Sequence, residues 1–279
     1  MTPDRERELI GALAAVRTRL AGAAEAAGRD VTDIELLPVT KFFPVSDVLV
    51  LRRLGCLAFG ESRDQEATQK VAEISAIRGC EALRWHMVGR IQRNKARSVA
   101  RWAYAAHSVD SATVITALDR AAAEALSSGR RAEALRVYLQ ISLDGDENRG
   151  GVDVAATGRI DDLCAAVDEA RGLRFVGLMA VPPRGAEPRG AFARLQEECG
   201  RVQARFQQRL ELSAGMSDDL ESAVEHGSTC VRVGTALMGS RPLTSPEVVT
   251  PVTPSSQTPN TADISETSTT SAPQEGSSR

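Results

Sequence analysis

Short apolar, β-branched-rich runs recur near residues 34–40, 56–60, 83–88, 104–109, 135–143, 173–179, 209–213 and 229–233, with helix-like segments between most of them. No other feature limits the fold as sharply. Connections of that length suit right-handed parallel crossovers, and eight strand–helix units predict an α/β fold, a single closed (β/α)8 TIM barrel. An open doubly wound sheet shares the alternation and stands as the alternative. Ahead of the first run, Leu9, Leu13, Val16 and Leu20 fall at helical spacing within residues 4–27, so an extra amphipathic helix should end before Gly28.

From Pro242 onward the chain is rich in Thr, Ser, Pro and Gln, with no aromatic residue and no basic residue before Arg279. Such a stretch cannot bury enough apolar area to offset its conformational entropy. The expected organisation is therefore a barrel over residues 1–241 and a disordered, passive tail over 242–279. In a chain of 279 residues this leaves room for one barrel of about 250 residues.

A formal net charge of -3 gives no footprint for nucleic acid, so any anionic ligand must be held by local groups. The N-terminus lacks an apolar signal core, and no uninterrupted apolar run reaches the roughly 18 residues of a membrane span. The expected address is the cytoplasm. The five cysteines contain no C-x-x-C pair, and the three histidines lack metal-ligand spacing, so neither a disulfide framework nor a metal enzyme is expected.

In a barrel, chemistry belongs at the C-terminal strand ends. Lys41 closes the run I-E-L-L-P-V-T-K there, where a barrel enzyme would mount a reactive amine. On position alone, a solvated surface lysine is the better reading. Two turns rich in glycine and hydroxyl groups, L-S-A-G-M-S (212–217) and V-R-V-G-T-A-L-M-G (231–239), follow the seventh and eighth runs, where barrels often cradle a phosphate. Tight-turn geometry alone would also explain those glycines, and Ser217 reads as the N-cap of a helix over 218–226. Gly234 and Gly239 have P-loop spacing, but Ser240 and Arg241 stand where Lys and Ser/Thr are required, which argues against nucleotide hydrolysis. A lysine on one side of the mouth and a phosphate cradle on the other suit a ligand with a carbonyl at one end and a phosphate at the other. Pyridoxal phosphate (PLP) has that form, and its aldehyde would condense with Lys41 as a Schiff base.

The runs P-V-T-K (38–41), F-G-E-S-R (59–63), W-H-M-V-G-R-I-Q-R-N-K (85–95), H-S-V-D-S (107–111), G-L-M-A-V-P-P (177–183), L-S-A-G-M-S-D-D-L-E-S-A-V (212–224) and V-R-V-G-T-A-L-M-G-S-R (231–241) closely resemble the pyridoxal phosphate homeostasis protein family. That resemblance implies a barrel related to the N-terminal domain of alanine racemase, with Lys41 holding the cofactor. It further implies that Ser213, Gly234 and Thr235 bind phosphate and that Arg232 faces the pyridine nitrogen. Ser62, His86, Met179 and Gly215 complete the expected cofactor-binding set. A permanently charged arginine keeps that nitrogen unprotonated and restrains carbanion chemistry.

Blander readings accompany several of these residues. Arg232 could be a strand-end salt bridge, His86 a hydrogen-bonded core histidine, and the basic segment 90–97 a solvated helix face. His107 and Asp110 are expected to be structural, with Asp110 or Ser111 capping the next helix. Ser62 and Arg149 depart from the family's usual asparagine and lysine, which puts their local contacts in question.

The resemblance implies a binder that stores or delivers PLP, expected to be a monomer with PLP-dependent apo-enzymes as transient clients. The alternative is a PLP-dependent amino-acid racemase of the alanine racemase type, which needs acid–base groups on both faces of the substrate carbon. Tyr104 and Tyr138 are the chain's two tyrosines, and both fall inside expected strands. A third reading, a sugar-phosphate barrel enzyme without cofactor, leaves Lys41 and Arg232 unexplained.

Overall fold

A computed structural model describes residues 2–146, 149–183, 185 and 187–240. The expected tail, 242–279, and Arg241 lie outside the described residues. Nine parallel strands make one sheet: β1 (Glu35–Pro38), β2 (Ala58–Glu61), β3 (Arg84–Met87), β4 (Ala105–Val109), β5 (Leu135–Ser142), β6 (Val152–Asp153), β7 (Leu173–Ala180), β8 (Glu211–Ser213) and β9 (Cys230–Val233). The two-residue β6 sits beside β5, and the other eight run in the order β1-β9-β8-β7-β5-β4-β3-β2. The ring closes between β1 and β2 through one parallel bridge, Val39 to Gly60, with Thr40 N–H donating to the Gly60 carbonyl at 2.9 Å. Each of the eight expected runs overlaps one of these strands, so the barrel reading holds and the open sheet does not.

The helices are α1 (Pro3–Ala26), α2 (Val45–Arg53), α3 (Asp64–Ser75), α4 (Ala96–Trp102), α5 (Ala112–Ser127), α6 (Thr157–Asp168), α7 (Pro188–Gln203), α8 (Leu220–Glu225) and α9 (Thr235–Met238). Thr2 caps α1 through its hydroxyl, Pro3 occupies the first turn, and Asp4 and Glu6 suit the helix dipole. Leu9, Leu13, Val16 and Leu20 bury the inner stripe of α1 against a core shared with α2, α8 and α9.

Most outward strand side chains are apolar and pack under the helices, as with Phe59, Val231 and Val233, while Glu61 of β2 meets Lys70 of α3. The interior differs. Its apolar groups form only small clusters, Leu37, Ala58 and Cys230 in one and Ala105, Tyr138, Val176 and Met179 in the other. Between them lie buried His86, His107, Ser213 and Arg232. A barrel axis usually filled by branched aliphatic layers therefore carries a polar column.

One cap differs from expectation. The helix expected over 218–226 is α8, with Asp219 at its N-cap position and no side-chain cap bond. Asp219 Oδ1 instead accepts from Met216 N–H at 2.6 Å, and Ser217 Oγ accepts from Ala236 N–H at 3.0 Å. Ser217 thus ties two loops together, because the 217–219 turn carries it away from the start of α8. Ser111 precedes α5 without a side-chain cap bond, while Asp110 Oδ2 accepts from Gly151 N–H at 3.2 Å.

Candidate functional site

Lys41 is exposed immediately beyond β1 and continues the alternation that turns Leu37 and Val39 inward. The next residue, Phe42, has φ +70°, the left-handed region that a bulky side chain seldom occupies. A buried clamp holds this turn from behind. Phe42 N–H donates to Glu66 Oε1 at 2.6 Å, and Lys70 Nζ donates to Glu66 Oε1 (3.3 Å), Glu61 Oε1 (2.6 Å) and the Thr40 carbonyl (2.9 Å). Thr40 Oγ1 adds a bond to Glu61 Oε1 at 2.8 Å. Burial raises the Glu61 pKa while the adjacent Lys70 ammonium opposes that shift. Across the Phe42 ring, the Arg63 guanidinium lies 4.7 Å and the Lys41 amine 5.9 Å from the centroid.

Arg232, at the mouth end of the polar column, is only 5% exposed. Its Nη1 donates to Ser213 Oγ at 2.5 Å and its Nη2 to the Ala180 carbonyl at 2.9 Å. Both acceptors are neutral. A buried guanidinium without a carboxylate is costly, and burial lowers its pKa. Among the described residues, Arg232 forms no strand-end salt bridge.

The column continues toward the other end. Ser213 Oγ lies 2.9 Å from His107 Nδ1, and His107 Nε2 lies 2.9 Å from His86 Nδ1. Each of these contacts pairs one proton with one lone pair, and their direction is set by which nitrogen of each ring carries its proton. Burial keeps both rings neutral, with the His86 pKa pushed down to about 3 and that of His107 well below 6.5. The His107 ring stacks on Tyr138 with centroids 4.2 Å apart.

The two glycine turns answer to different constraints. Gly215 has φ +89°, and a Cβ there would sit 2.6 Å from Ala223 Cβ, so protein packing alone accounts for it. Gly234 has negative φ, and its Cβ would meet only Val39, at 3.9 Å. Nothing in the protein demands glycine at Gly234, which leaves room for ligand atoms there. The turns are stitched together by the Ser217–Ala236 bond and by Arg232 N–H donating to the Gly215 carbonyl at 2.9 Å. Thr235 is exposed at the start of α9. Ser62 is half-buried, and its carbonyl would lie 2.1 Å from a Cβ on Gly89, which ties the loops after β2 and β3 together.

Beside this end of the barrel a pocket of about 610 Å³ is lined by Gln140, Asp144, Arg149, Pro182, Met216 and Asp218, among others. Arg149 bridges its walls, donating to Asp144 Oδ2 at 3.0 Å and to the Pro182 carbonyl at 2.6 Å.

The Ser213 hydroxyl is fully buried and engaged by Arg232 and His107, contacts that support the arginine. His86 lies beyond His107 from Arg232 and faces the pocket at the N-terminal strand ends, where it pairs in register with Ala105, the first residue of β4. Met179 is buried beside Tyr138. The basic segment 90–97 is partly paired, Arg97 with Glu124 at 2.7 Å. His107 and the Glu66–Lys70 clamp were missed as site-forming residues, although Glu66 and Lys70 have i,i+4 helical spacing. Among the described residues, no cluster of His, Cys, Asp or Glu could hold a metal ion, and no helix is long and apolar enough to cross a membrane.

Residues 12–242 match the family described as "Alanine racemase, N-terminal domain". The chain is 61% identical over 250 residues to the pyridoxal phosphate homeostasis protein of Mycobacterium tuberculosis H37Rv, covering 88% of this chain and 97% of that protein. It is 36% identical over 239 residues to the protein of the same name from Escherichia coli K12, covering 82% and 95%. The solved structure of PipY from Synechococcus elongatus PCC7942 with PLP bound superposes with a TM-score of 0.69 at 32% identity, covering 83% of this chain and all of that one.

Proposed function

The chain belongs to the pyridoxal phosphate homeostasis protein family, on the barrel of the alanine racemase N-terminal domain, and we propose that it binds PLP as a Schiff base on Lys41 to store or deliver it. The observation that carries this reading is Arg232, a buried cation with only neutral acceptors, one strand over from the lysine and adjoining the open space at Gly234.

PLP, when bound, supplies an aldehyde for an amine and a ring that withdraws electrons most strongly when its nitrogen is protonated. Lys41 supplies the amine, from a turn braced by Lys70, Glu61 and Glu66. Arg232 directs its positive charge at the ring nitrogen and disfavours a proton there. The Ser213–His107–His86 column holds the guanidinium in place without neutralising it. Gly234 and Thr235 give the phosphate its space and donors, with Gly215 shaping the neighbouring turn. PLP family names and the PLP-bound PipY structure support the ligand.

Tyr104 and Tyr138 both lie toward the N-terminal strand ends, Tyr104 against Arg84 and Arg136 and Tyr138 bonded to Glu211. Neither is placed as a base at the mouth, which favours holding over racemisation. In this reading residues 1–241 are the working barrel, acting as a cytoplasmic monomer that passes PLP to apo-enzymes as transient clients.

A visible spectrum tests the proposal. Wild type incubated with PLP should be yellow, and Lys41→Ala colourless after removal of free cofactor. A wild type that is colourless after incubation with excess PLP and removal of the free cofactor contradicts the reading. Rapid exchange of the α-proton of L-alanine in deuterated water, with appearance of the D-isomer, would establish the racemase instead.

A further inference from the structure

The N-terminal end of the barrel holds a second pocket of about 610 Å³, within the range of small-molecule sites. This face of a barrel ordinarily serves stability, and two ion pairs contribute to that: Arg84 Nη2 to Glu35 Oε1 at 2.7 Å, and Arg136 to Glu211. Closure does not account for the remaining groups.

His86 Nε2 faces this pocket, is buried, and has no hydrogen-bond partner. The Glu35 Oε2 atom is 3.9 Å away, beyond hydrogen-bond reach. As donor or acceptor, a buried ring nitrogen without a partner is a polar group that a ligand can satisfy. Arg84 and Arg136 each give one guanidinium nitrogen to a carboxylate, and both stand near the Tyr104 ring, 5.5 and 5.3 Å from its centroid. At the rim, exposed Arg209 forms no ion pair among the described residues and faces the same space as Asp33.

The charges balance. Guanidiniums of Arg84, Arg136 and Arg209 face carboxylates of Asp33, Glu35 and Glu211. A lone anion would meet three carboxylates, a lone cation three guanidiniums, and an apolar molecule would leave His86 unsatisfied. A molecule bearing both charges matches the lining.

We propose that this pocket is a second ligand site that takes a small zwitterion, its carboxylate received by the free guanidinium donors, its ammonium by Glu35 and Asp33, and a polar atom of the same molecule by His86 Nε2. Its occupancy requires neither Lys41 nor PLP.

The test is histidine-selective 15N NMR of the full chain, whose three histidines are His86, His107 and His226. Titration with glycine should shift the His86 Nε2 signal saturably and leave His226 unmoved, in wild type and in Lys41→Ala alike. Acetate and methylammonium should each bind at least about tenfold more weakly, and Arg84→Gln should weaken glycine binding by about tenfold. Should Arg84→Gln disturb the His226 signal before any ligand is added, Arg209→Gln at the exposed rim takes its place with the same expected loss. Absence of a saturable His86 shift overturns the proposal, as does acetate matching glycine or an undiminished response in the arginine variants.

Discussion

Arg84 and Arg136, at the N-terminal end, each donate to a carboxylate, whereas among the described residues Arg232, toward the mouth, donates only to a serine hydroxyl and a backbone carbonyl. All three point into one barrel. At the first end the charges are half-exposed and locally balanced; at the second a cation is buried and left for something that enters. The same residue type therefore closes one face and prepares the other, and the difference lies in the partners that neighbouring strands supply. Lys70 sharpens the contrast, since this mouth-side cation does have carboxylates and uses them to hold the strained turn at Phe42.

The largest effect should come from breaking that mouth-side pair. Lys70→Met leaves Glu61 buried and uncompensated, and should cost about 3–5 kcal/mol in urea unfolding. Arg84→Met, at the half-exposed opposite end, should cost about 1 kcal/mol or less. Equal losses would erase the distinction between the ends.

Next in size is the effect on cofactor. Arg232→Gln should weaken PLP binding by about a hundredfold, about 2.7 kcal/mol, while Arg84→Gln should change it less than about threefold. Spectrophotometric titration of the two variants decides the point, and a larger loss in Arg84→Gln would reverse the assignment of the ends.

The column between the ends predicts a pH dependence. In the unfolded chain histidines bind protons near pH 6.5, but folded His86 does so only near pH 3 and His107 also well below 6.5. Below pH 6.5 the unfolded state thus holds more protons, and stability falls as acid is added, by about 1.4 kcal/mol per pH unit for each buried histidine. His86→Gln should remove its share, lowering the slope in urea titrations between pH 6 and 4 by about 1.4 kcal/mol per pH unit. An unchanged slope would mean that the column is not neutral.

Much of the fold was legible in the chain. Apolar runs flanked by helical patterns mark strands wherever outward side chains are covered by helices, and all eight barrel strands obey this. Lys41 stands out in the sequence because strand ends are where barrels mount function, and Arg232 through the motif that carries the family resemblance. The His86–His107–Ser213 column was not, since it joins residues 21 and 106 positions apart that meet only through the inward alternation of separate strands. Ser217 misled for a similar reason: local spacing suggests a cap, while its hydroxyl reaches a turn 19 residues away. The two glycine turns looked equivalent in sequence, and only the space around Gly234 separates it from Gly215.

The most direct measurement is the site of covalent attachment. Full-length protein loaded with PLP, reduced with borohydride and digested should yield, by mass spectrometry, one pyridoxyl-modified peptide carrying the group on Lys41. Attachment at Lys70 or Lys95, or scattered over several lysines with Lys41 unmodified, would contradict the account.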